Sequence, residues 1–345
     1  MAEILKLTDK GLFCPEGGFY IDPWRPVEKA LITHAHSDHA RQGSSSYLST
    51  TESAPLLRLR LGSDIKLETL NYGEALTVGE VSVSFHPAGH VLGSAQIRVE
   101  HRGQVVVASG DYKLSPDPSC RSFEPVKCHT FISESTFGLP IYRWTDSDVV
   151  FDQINQWWQQ NQKDERPSIL FAYSLGKAQR LLMGIDSALG PIYTHGAVEN
   201  VNKAYGEAGI NLPETKNVSE SARADWKNAL ILAPPSAHGS AWMRKFSKAS
   251  TAFASGWMRI RGARRRRSVD RGFVLSDHAD WPELQTAISE SRAERVLLTH
   301  GYTQAMVRWL SERGVEADSL STEYSGEIED SSEATDSQSN KGSVD

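Results

Sequence analysis

Three imidazoles and a carboxylate fall between His34 and His39, in the stretch Thr33-His34-Ala35-His36-Ser37-Asp38-His39. Neutral imidazoles with one hard carboxylate form a donor set suited to zinc, with manganese or iron less well matched. His34 and His36 stand two apart and can share one side of an extended turn. Asp38 and His39 follow the bend and can face a second centre. Similar candidates recur downstream. His90 lies in the loop Pro87-Ala88-Gly89-His90-Val91-Leu92-Gly93-Ser94-Ala95, whose small residues let backbone approach a metal closely. It reads as the third imidazole of the first centre. Asp111 follows the apolar run Gln104-Val105-Val106-Val107-Ala108-Ser109, and an Asp leaving a central strand at the same edge can bridge two ions. Asp22 closes the run Phe19-Tyr20-Ile21, where a carboxylate can accept the far N–H of a metal-bound His.

The elements that must carry these side chains follow from periodicity and punctuation. Ala30-Leu31-Ile32 leads straight into the histidine cluster, which reads as a buried strand opening into a loop. Only a loop can aim neighbouring side chains at one point, because a strand alternates faces. Residues 12–32 read as two short strands about a turn at Gly17-Gly18, and Val78 to Phe85 alternates as one strand. His129 to Ile132 is a further strand, running into Ser133-Glu134-Ser135-Thr136-Phe137-Gly138. Asp148 to Gln160 has helical spacing, with Val149, Ile154, Trp157 and Trp158. Strands then alternate with helices through Ser168–Tyr173, Pro191–Tyr193, Ala229–Ala233 and Thr251–Ala254, which predicts a small, largely parallel sheet. Ser174 to Leu182 opens a helix after the first of these, a place where free N–H groups suit a phosphate. His278 follows the run Gly272–Leu275 and precedes a helix with Pro282 in its first turn, and His300 ends Arg295–Thr299.

The chain has 345 residues, 39% of them hydrophobic, enough for one large or two ordinary domains. No apolar stretch approaches the roughly 20 residues of a membrane span. Cys14, Cys120 and Cys128 are odd in number, widely spaced and without CxxC pairing, and the N-terminus lacks a signal-peptide layout. Reduced thiols in a cytoplasm are expected. The net charge of −6 is matched by the segment from Glu323 to Asp345, which holds seven acids and one Lys, so residues 1–322 are neutral. That segment, rich in Ser and nearly free of apolar residues, is expected to be a disordered acidic tail over 321–345. Within the neutral body, Arg259, Arg261, Arg264, Arg265, Arg266, Arg267 and Arg271 form a basic run just before the His278 motif.

The set Asp22, His34-x-His36-x-Asp38-His39, His90 and Asp111 resembles the metallo-β-lactamase fold. Glu134 within "SESTFG", His278 within "LSDHADW" and His300 within "LLTHGY" resemble the motifs of its β-CASP nucleases. His at the last position is similar to the RNase J and polyadenylation-nuclease branch. The longer stretches "PPSAHGSAWMRKF" and "ASGWMRIRGARRRRSVDRGFVLSDHADWPEL" resemble the bacterial ligase-associated DNA exonucleases.

The resemblance implies an α/β fold, a metallo-β-lactamase αββα sandwich with an inserted β-CASP α/β domain. Residues 1–145 would form the first part of the sandwich, 146–271 the insert and 272–320 its completion. It implies that His34, His36 and His90 hold one Zn2+, that Asp38, His39 and His300 hold another (Mn2+ being an alternative ion), and that Asp111 bridges. The implied chemistry is two-metal phosphodiester hydrolysis, with His278 as general acid, oriented by Glu134. Ser135, Thr136, Ser174 and Lys177 would hold a terminal phosphate, and the Arg259–Arg271 segment would track the strand. The implied role is a DNA exonuclease in repair, beside an ATP-dependent DNA ligase and other repair enzymes, with no membrane partner. An RNase J-like RNA nuclease shares the same residues. A small-molecule hydrolase would share the metal residues but not Glu134, the insert or the Arg run. A catalytically silent nucleic-acid-binding scaffold would have lost metal ligands, and none is lost here.

Overall fold

The computed structural model describes residues 3–220, 226–246, 248–260 and 268–324. The chain first builds a sheet from β1 (Lys6–Thr8), β2 (Gly11–Cys14), β3 (Phe19–Ile21), β4 (Lys29–Leu31), β5 (Ser46–Thr50) and β6 (Leu67–Leu70), in that spatial order. The first three strands are antiparallel neighbours, and β3 to β6 run parallel. Helix α1 (Ala54–Leu61) connects the last two. The next strands are β7 (Ala75–Val78), β8 (Val81–Pro87), β9 (Ala95–His101), β10 (Gln104–Ala108) and β11 (Thr130–Ser135).

The chain then leaves this sheet. Helix α2 (Ser147–Lys163) starts where Asp146 accepts a hydrogen bond from Asp148 N, and it buries Val150, Ile154, Trp157 and Trp158. It leads into β12 (Ser168–Phe171), α3 (Lys177–Gly184), β13 (Ile192–Thr194), α4 (Gly196–Glu207), β14 (Lys216–Asn217), β15 (Leu230–Ala233), β16 (Ser250–Ala254) and β17 (Arg271–Phe273). These strands form a separate all-parallel sheet in the order β14-β13-β15-β12-β16-β17. Its last strand runs to Phe273, past the boundary expected at residue 271. Helix α5 (Trp281–Ser291) follows, capped reciprocally: Asp280 accepts from Glu283 N and Glu283 from Asp280 N. Then β18 (Arg295–Gly301), α6 (Thr303–Ser311) and β19 (Glu316–Ser319) complete the second sheet, whose order is β19-β18-β11-β10-β9-β8-β7.

Alternation along the strands sets the layers. In β10, Val106 and Ala108 face the first sheet in one core with Leu12, Phe19 and Leu31. Their neighbours Val105 and Val107 face the opposite way, packing with Trp281, Leu284, Met306 and Leu310 of α5 and α6. In β4, Leu31 joins the inter-sheet core while Ala30 packs with Leu56 and Leu57 of α1 and Val201 and Tyr205 of α4. The result is a mixed α/β architecture with two face-packed sheets, helices on both outer faces, and a third sheet with its own core around Trp158, Leu170 and Leu232. Because β10, β11 and β18 are mutually parallel, their C-terminal ends share one edge.

Two readings of the sequence are corrected here. Val78 to Phe85 is a hairpin and not one strand: Gly79, at φ +60°, turns the chain so that Val78 pairs with Val81. Residues 321–324, assigned to the disordered tail, are placed against the body. Leu320 N donates to Leu298 O, Thr322 Oγ1 to Thr299 O, and Glu323 pairs with Arg25. Composition favours disorder only where a segment has no surface to meet, and these residues have one. The remainder, 325–345, lies outside the described residues. Among the described residues no helix is long and apolar enough to cross a membrane.

Candidate metal centre

The parallel strand ends deliver the ligand candidates. Beyond β4, the loop carrying His34, His36, Asp38 and His39 folds back on itself, with Ala40 N donating to His36 O. Asp111 leaves the end of β10 through Gly110, which sits at φ +57°. A Cβ on Gly110 would lie 2.7 Å from the Thr33 side chain, so any larger residue would push the two loops apart. Glu134 lies near the end of β11 and His300 near the end of β18.

Asp111 is the centre of the cluster. Its Oδ2 lies 3.4 Å from His34 Nε2, 3.6 Å from His39 Nε2 and 3.8 Å from His90 Nε2, while Oδ1 lies 3.3 Å from His300 Nε2. His36 Nδ1 is 3.0 Å from His90 Nε2, and Asp38 Oδ2 is 3.8 Å from His39 Nε2. His34, His36, His90 and Asp111 offer donor atoms that all lie within 4.8 Å of one another.

Each imidazole presents one nitrogen to this cluster and has the other engaged elsewhere. The partner of His34 Nδ1 is Thr33 Oγ1 at 3.0 Å, and that hydroxyl donates to Asp22. His39 Nδ1 meets Asp22 Oδ2 at 2.7 Å, His90 Nδ1 donates to Asp277 O at 2.9 Å, and His36 Nε2 to Leu175 O at 3.2 Å. His300 Nδ1 meets Thr299 Oγ1 at 2.9 Å. Partners of this kind fix ring orientation and leave a defined nitrogen for a metal. Among the described residues, His34 Nε2, His39 Nε2, His300 Nε2 and Asp111 Oδ1 are buried without a hydrogen-bond partner. Unsatisfied buried polar atoms are costly, and four converging on one spot fit a cation. The donor set, imidazole and carboxylate, is one that zinc accepts.

The carboxylates make the cluster attractive to positive charge, which without an ion falls on His39. Burial alone would lower the His39 imidazole, but Asp111, Asp38 and Asp22 outweigh it and lift its pKa to about 10. Burial would raise the Asp111 carboxyl, yet the surrounding imidazoles, His39 foremost, hold it well below the usual carboxylate range. Burial lowers His34 and His90 well below ordinary histidine, favouring the neutral ring that a metal requires. Asp22 adopts φ +42°, an unusual backbone for a non-glycine residue. In that position its carboxylate reaches Thr33 N at 2.8 Å as well as the His39 ring.

Beside the cluster, His278 Nδ1 is 2.9 Å from Glu134 Oε2, and Glu134 Oε1 accepts from Tyr112 N at 2.7 Å. His278 Nδ1 is 4.0 Å from Asp111 Oδ2, so the pair lies at the edge of the ligand set.

The residues expected to bind substrate separate into different groups. Ser135 and Thr136 are buried next to Glu134, with hydroxyls that lack a hydrogen-bond partner among the described residues. Ser174 is half-buried and Arg259 exposed. Arg261, Arg264, Arg265, Arg266 and Arg267 lie outside the described residues. Lys177 is a correction. It is fully buried, 3.3 Å from Asp277 Oδ2 and over the Tyr173 ring, so its charge is neutralised within the protein and not offered to a phosphate.

Sequence reading missed Thr33 and Thr299, the hydroxyls that engage the rings following them; a Thr directly before a candidate ligand His was the available signal. It also missed the carbonyls of Leu175 and Asp277, for which no side-chain signal exists, and Tyr324, hidden in an acidic context.

No family model matches the chain. It is 32% identical over 311 residues, 89% of its length, to a probable DNA ligase of Opitutus terrae, of which that match spans 30%. It is 25% identical over 236 residues to an RNase J-like protein of Methanocaldococcus jannaschii, covering 57% of this chain and 54% of that one. Cleavage and polyadenylation specificity factor 73 of Drosophila melanogaster is 28% identical over 168 residues, 46% of this chain and 24% of the relative. The chain belongs to the metallo-β-lactamase/β-CASP nuclease superfamily. It spans from under a third to about half the length of these relatives. A crystal structure of a protein of unknown function from Enterococcus faecalis V583 superposes with a TM-score of 0.59, covering 86% of this chain and 79% of that one at 13% identity. That likeness concerns the fold alone.

Proposed function

We propose that this superfamily member is a two-zinc-dependent DNA exonuclease acting in repair, in partnership with an ATP-dependent DNA ligase. The observation that carries the hydrolytic reading is the convergence of unpartnered buried donors on Asp111. The DNA and ligase part rests on the similarity of nearly the whole chain to a stretch of a probable DNA ligase. The two face-packed sheets and outer helices are taken as the αββα sandwich, and the all-parallel sheet as the β-CASP insert.

His34, His36 and His90 would hold one ion, Asp38, His39 and His300 the other, and Asp111 both. When bound, such ions supply Lewis acidity, acidifying water and neutralising charge that builds on the phosphate. The protein's own groups do the rest. Glu134 accepts a hydrogen bond from His278 Nδ1 and so supports the doubly protonated ring, whose second proton, at Nε2, would pass to the departing oxygen of the cleaved strand and leave the ring neutral. The buried hydroxyls of Ser135 and Thr136 stand beside Glu134 as donors for a terminal phosphate. Exposed Arg259 and the basic run after it attract the backbone, so binding weakens as salt rises.

Digestion of end-labelled, sequence-matched DNA and RNA by the wild-type chain and by His278→Ala is the test. Faster loss of DNA ends, and a variant crippled on the same substrate, is the expected result. Preference for RNA, as the RNase J-like relative would suggest, overturns the DNA assignment while leaving the centre intact.

A further inference from the structure

The residues just beyond the last strand, Thr322 to Tyr324, lie against the His39 and His300 side of the candidate metal centre. Tyr324 stacks face to face on the His39 ring, with centroids 4.6 Å apart and planes inclined by 13°. Its hydroxyl donates to the carbonyls of Asp22, at 3.2 Å, and Ile21, at 3.4 Å. Asp22 is the carboxylate that engages His39 Nδ1, so Tyr324 touches both the ring and the residue that orients it. Trp24 packs edge-on to the outer side of Tyr324 at 5.7 Å.

Two further contacts from the same segment reach the other members of this half. Thr322 Oγ1 donates to Thr299 O, and Thr299 is the residue whose hydroxyl engages His300 Nδ1. Glu323 forms a two-pronged ion pair with Arg25, at 2.7 and 2.8 Å, and its carbonyl accepts from Arg41 Nη2. Arg41 Nε donates in turn to Asp38 O. Asp38, His39 and His300 are thus each one contact or one intermediary away from this short segment. The rings of His36 and His90 are held from elsewhere, by Leu175 and Asp277, and His34 by the Thr33 hydroxyl, which reaches the Asp22 carboxylate rather than the carbonyl that Tyr324 meets.

We propose that Thr322–Tyr324 is a strap that holds the Asp38/His39/His300 half of the centre in its ligating geometry, with Tyr324 as the positioning residue. The proposal rests on the two-ion reading given above. Its physical basis is that a ring clamped on one face by Tyr324, and held at Nδ1 by Asp22, has a single orientation in which Nε2 faces Asp111. Without the clamp the His39 ring and the Asp22 backbone at positive φ gain alternatives, and a ligand must then be ordered when the ion binds.

The test is zinc retention by the full-length chain against a graded chelator, with bound zinc counted by elemental analysis. Wild type is compared with Tyr324→Leu, Tyr324→Phe and a chain ending at Ser321, each checked for folding by near-ultraviolet circular dichroism. Two equivalents in wild type are expected. Tyr324→Leu and the truncated chain should release one equivalent at roughly 10- to 100-fold lower chelator strength while the other stays at its wild-type value. Tyr324→Phe, which keeps the ring, should lie close to wild type. Tyr324→Leu that holds both equivalents as wild type does, or a folded variant that loses both in parallel, overturns the strap. If Tyr324→Leu does not fold, the comparison between Tyr324→Phe and the truncated chain decides by the same criteria. Wild type that takes up fewer than two equivalents overturns the two-ion reading itself, a result distinguishable from failure of the strap.

Discussion

The two halves of the candidate centre share Asp111 but are supported by different parts of the molecule. In the His34/His36/His90 half, the His36 and His90 rings are tied to the inserted parallel sheet and its exit, while His34 is held through Thr33 by Asp22. Leu175, in the loop between β12 and α3, accepts from His36, and Asp277, after β17, accepts from His90. Gly176, at φ +90°, lets that loop press against Val91 beside His90, where a Cβ would come within 2.3 Å of the valine. The Asp38/His39/His300 half is tied to the first sheet through Asp22 and to the segment after β19 through Tyr324. The insert therefore bears on the His36 and His90 rings, and the residues after the last strand bear on those of His39 and His300.

The largest effect should come from the shared residue. Asp111→Ala removes the carboxylate common to both halves, and nuclease activity should fall by about 10³-fold or more, with both zinc equivalents weakened. Loss of only one equivalent, measured by elemental analysis, would mean that Asp111 belongs to one half alone. Next is Lys177→Ala, which strips a buried cation from Asp277. The cost to folding should be about 3 kcal/mol in chemical denaturation, at the low end for a broken buried pair because Arg180 Nη1 remains 3.9 Å from Asp277. Its effect on metal should appear in the His34/His36/His90 half first, since Asp277 also holds His90. Equal weakening of both halves would break the distinction.

Asp22→Asn tests the opposite side. Losing the anionic partner of His39 should weaken the equivalent at this half by roughly 10- to 100-fold, and the other by less, through the Thr33 hydroxyl that links Asp22 to His34. A further test is in pH. In metal-stripped protein the His39 pKa is lifted from 6.5 to about 10, so the folded state holds this proton more tightly than the unfolded chain. Its stabilisation is complete below about pH 6.5 and is lost as pH rises toward 10. The melting temperature of the stripped protein should fall across that window, and His39→Gln should flatten the fall. Zinc must displace the same proton, so affinity at this half should rise over the same range.

Much of the site could be read from residue types. Imidazoles and carboxylates crowded into His34–His39 announce a cation by their chemistry, and His90, Asp111, Glu134, His278 and His300 each stand after an apolar run, where a strand must end. The helix expected from Asp148 to Gln160 and the alternation of strands and helices after it followed from the spacing of Trp157, Trp158 and the later apolar runs, and both are present. Where reading failed, the cause was local or composite. Gly79 turned a continuous alternation into a hairpin, because alternation alone does not reveal a reversal of direction. Lys177 looked like a phosphate ligand until Asp277, distant in sequence, was found beside it. Tyr324 was lost in an acidic context whose average properties say nothing of one aromatic side chain.

The sequence by itself determined which atoms could bind a cation and which runs would carry them, because donor chemistry and periodicity are properties of the residues. Only the tertiary structure decided how those atoms are shared and steadied. Parallel β10, β11 and β18 bring residues from 111 to 300 to one edge, and two backbone carbonyls and one tyrosine help to hold the His36, His90 and His39 rings. A carbonyl is the same in every residue, and a stacking partner acts only through proximity. Neither is therefore visible until the chain has closed on itself.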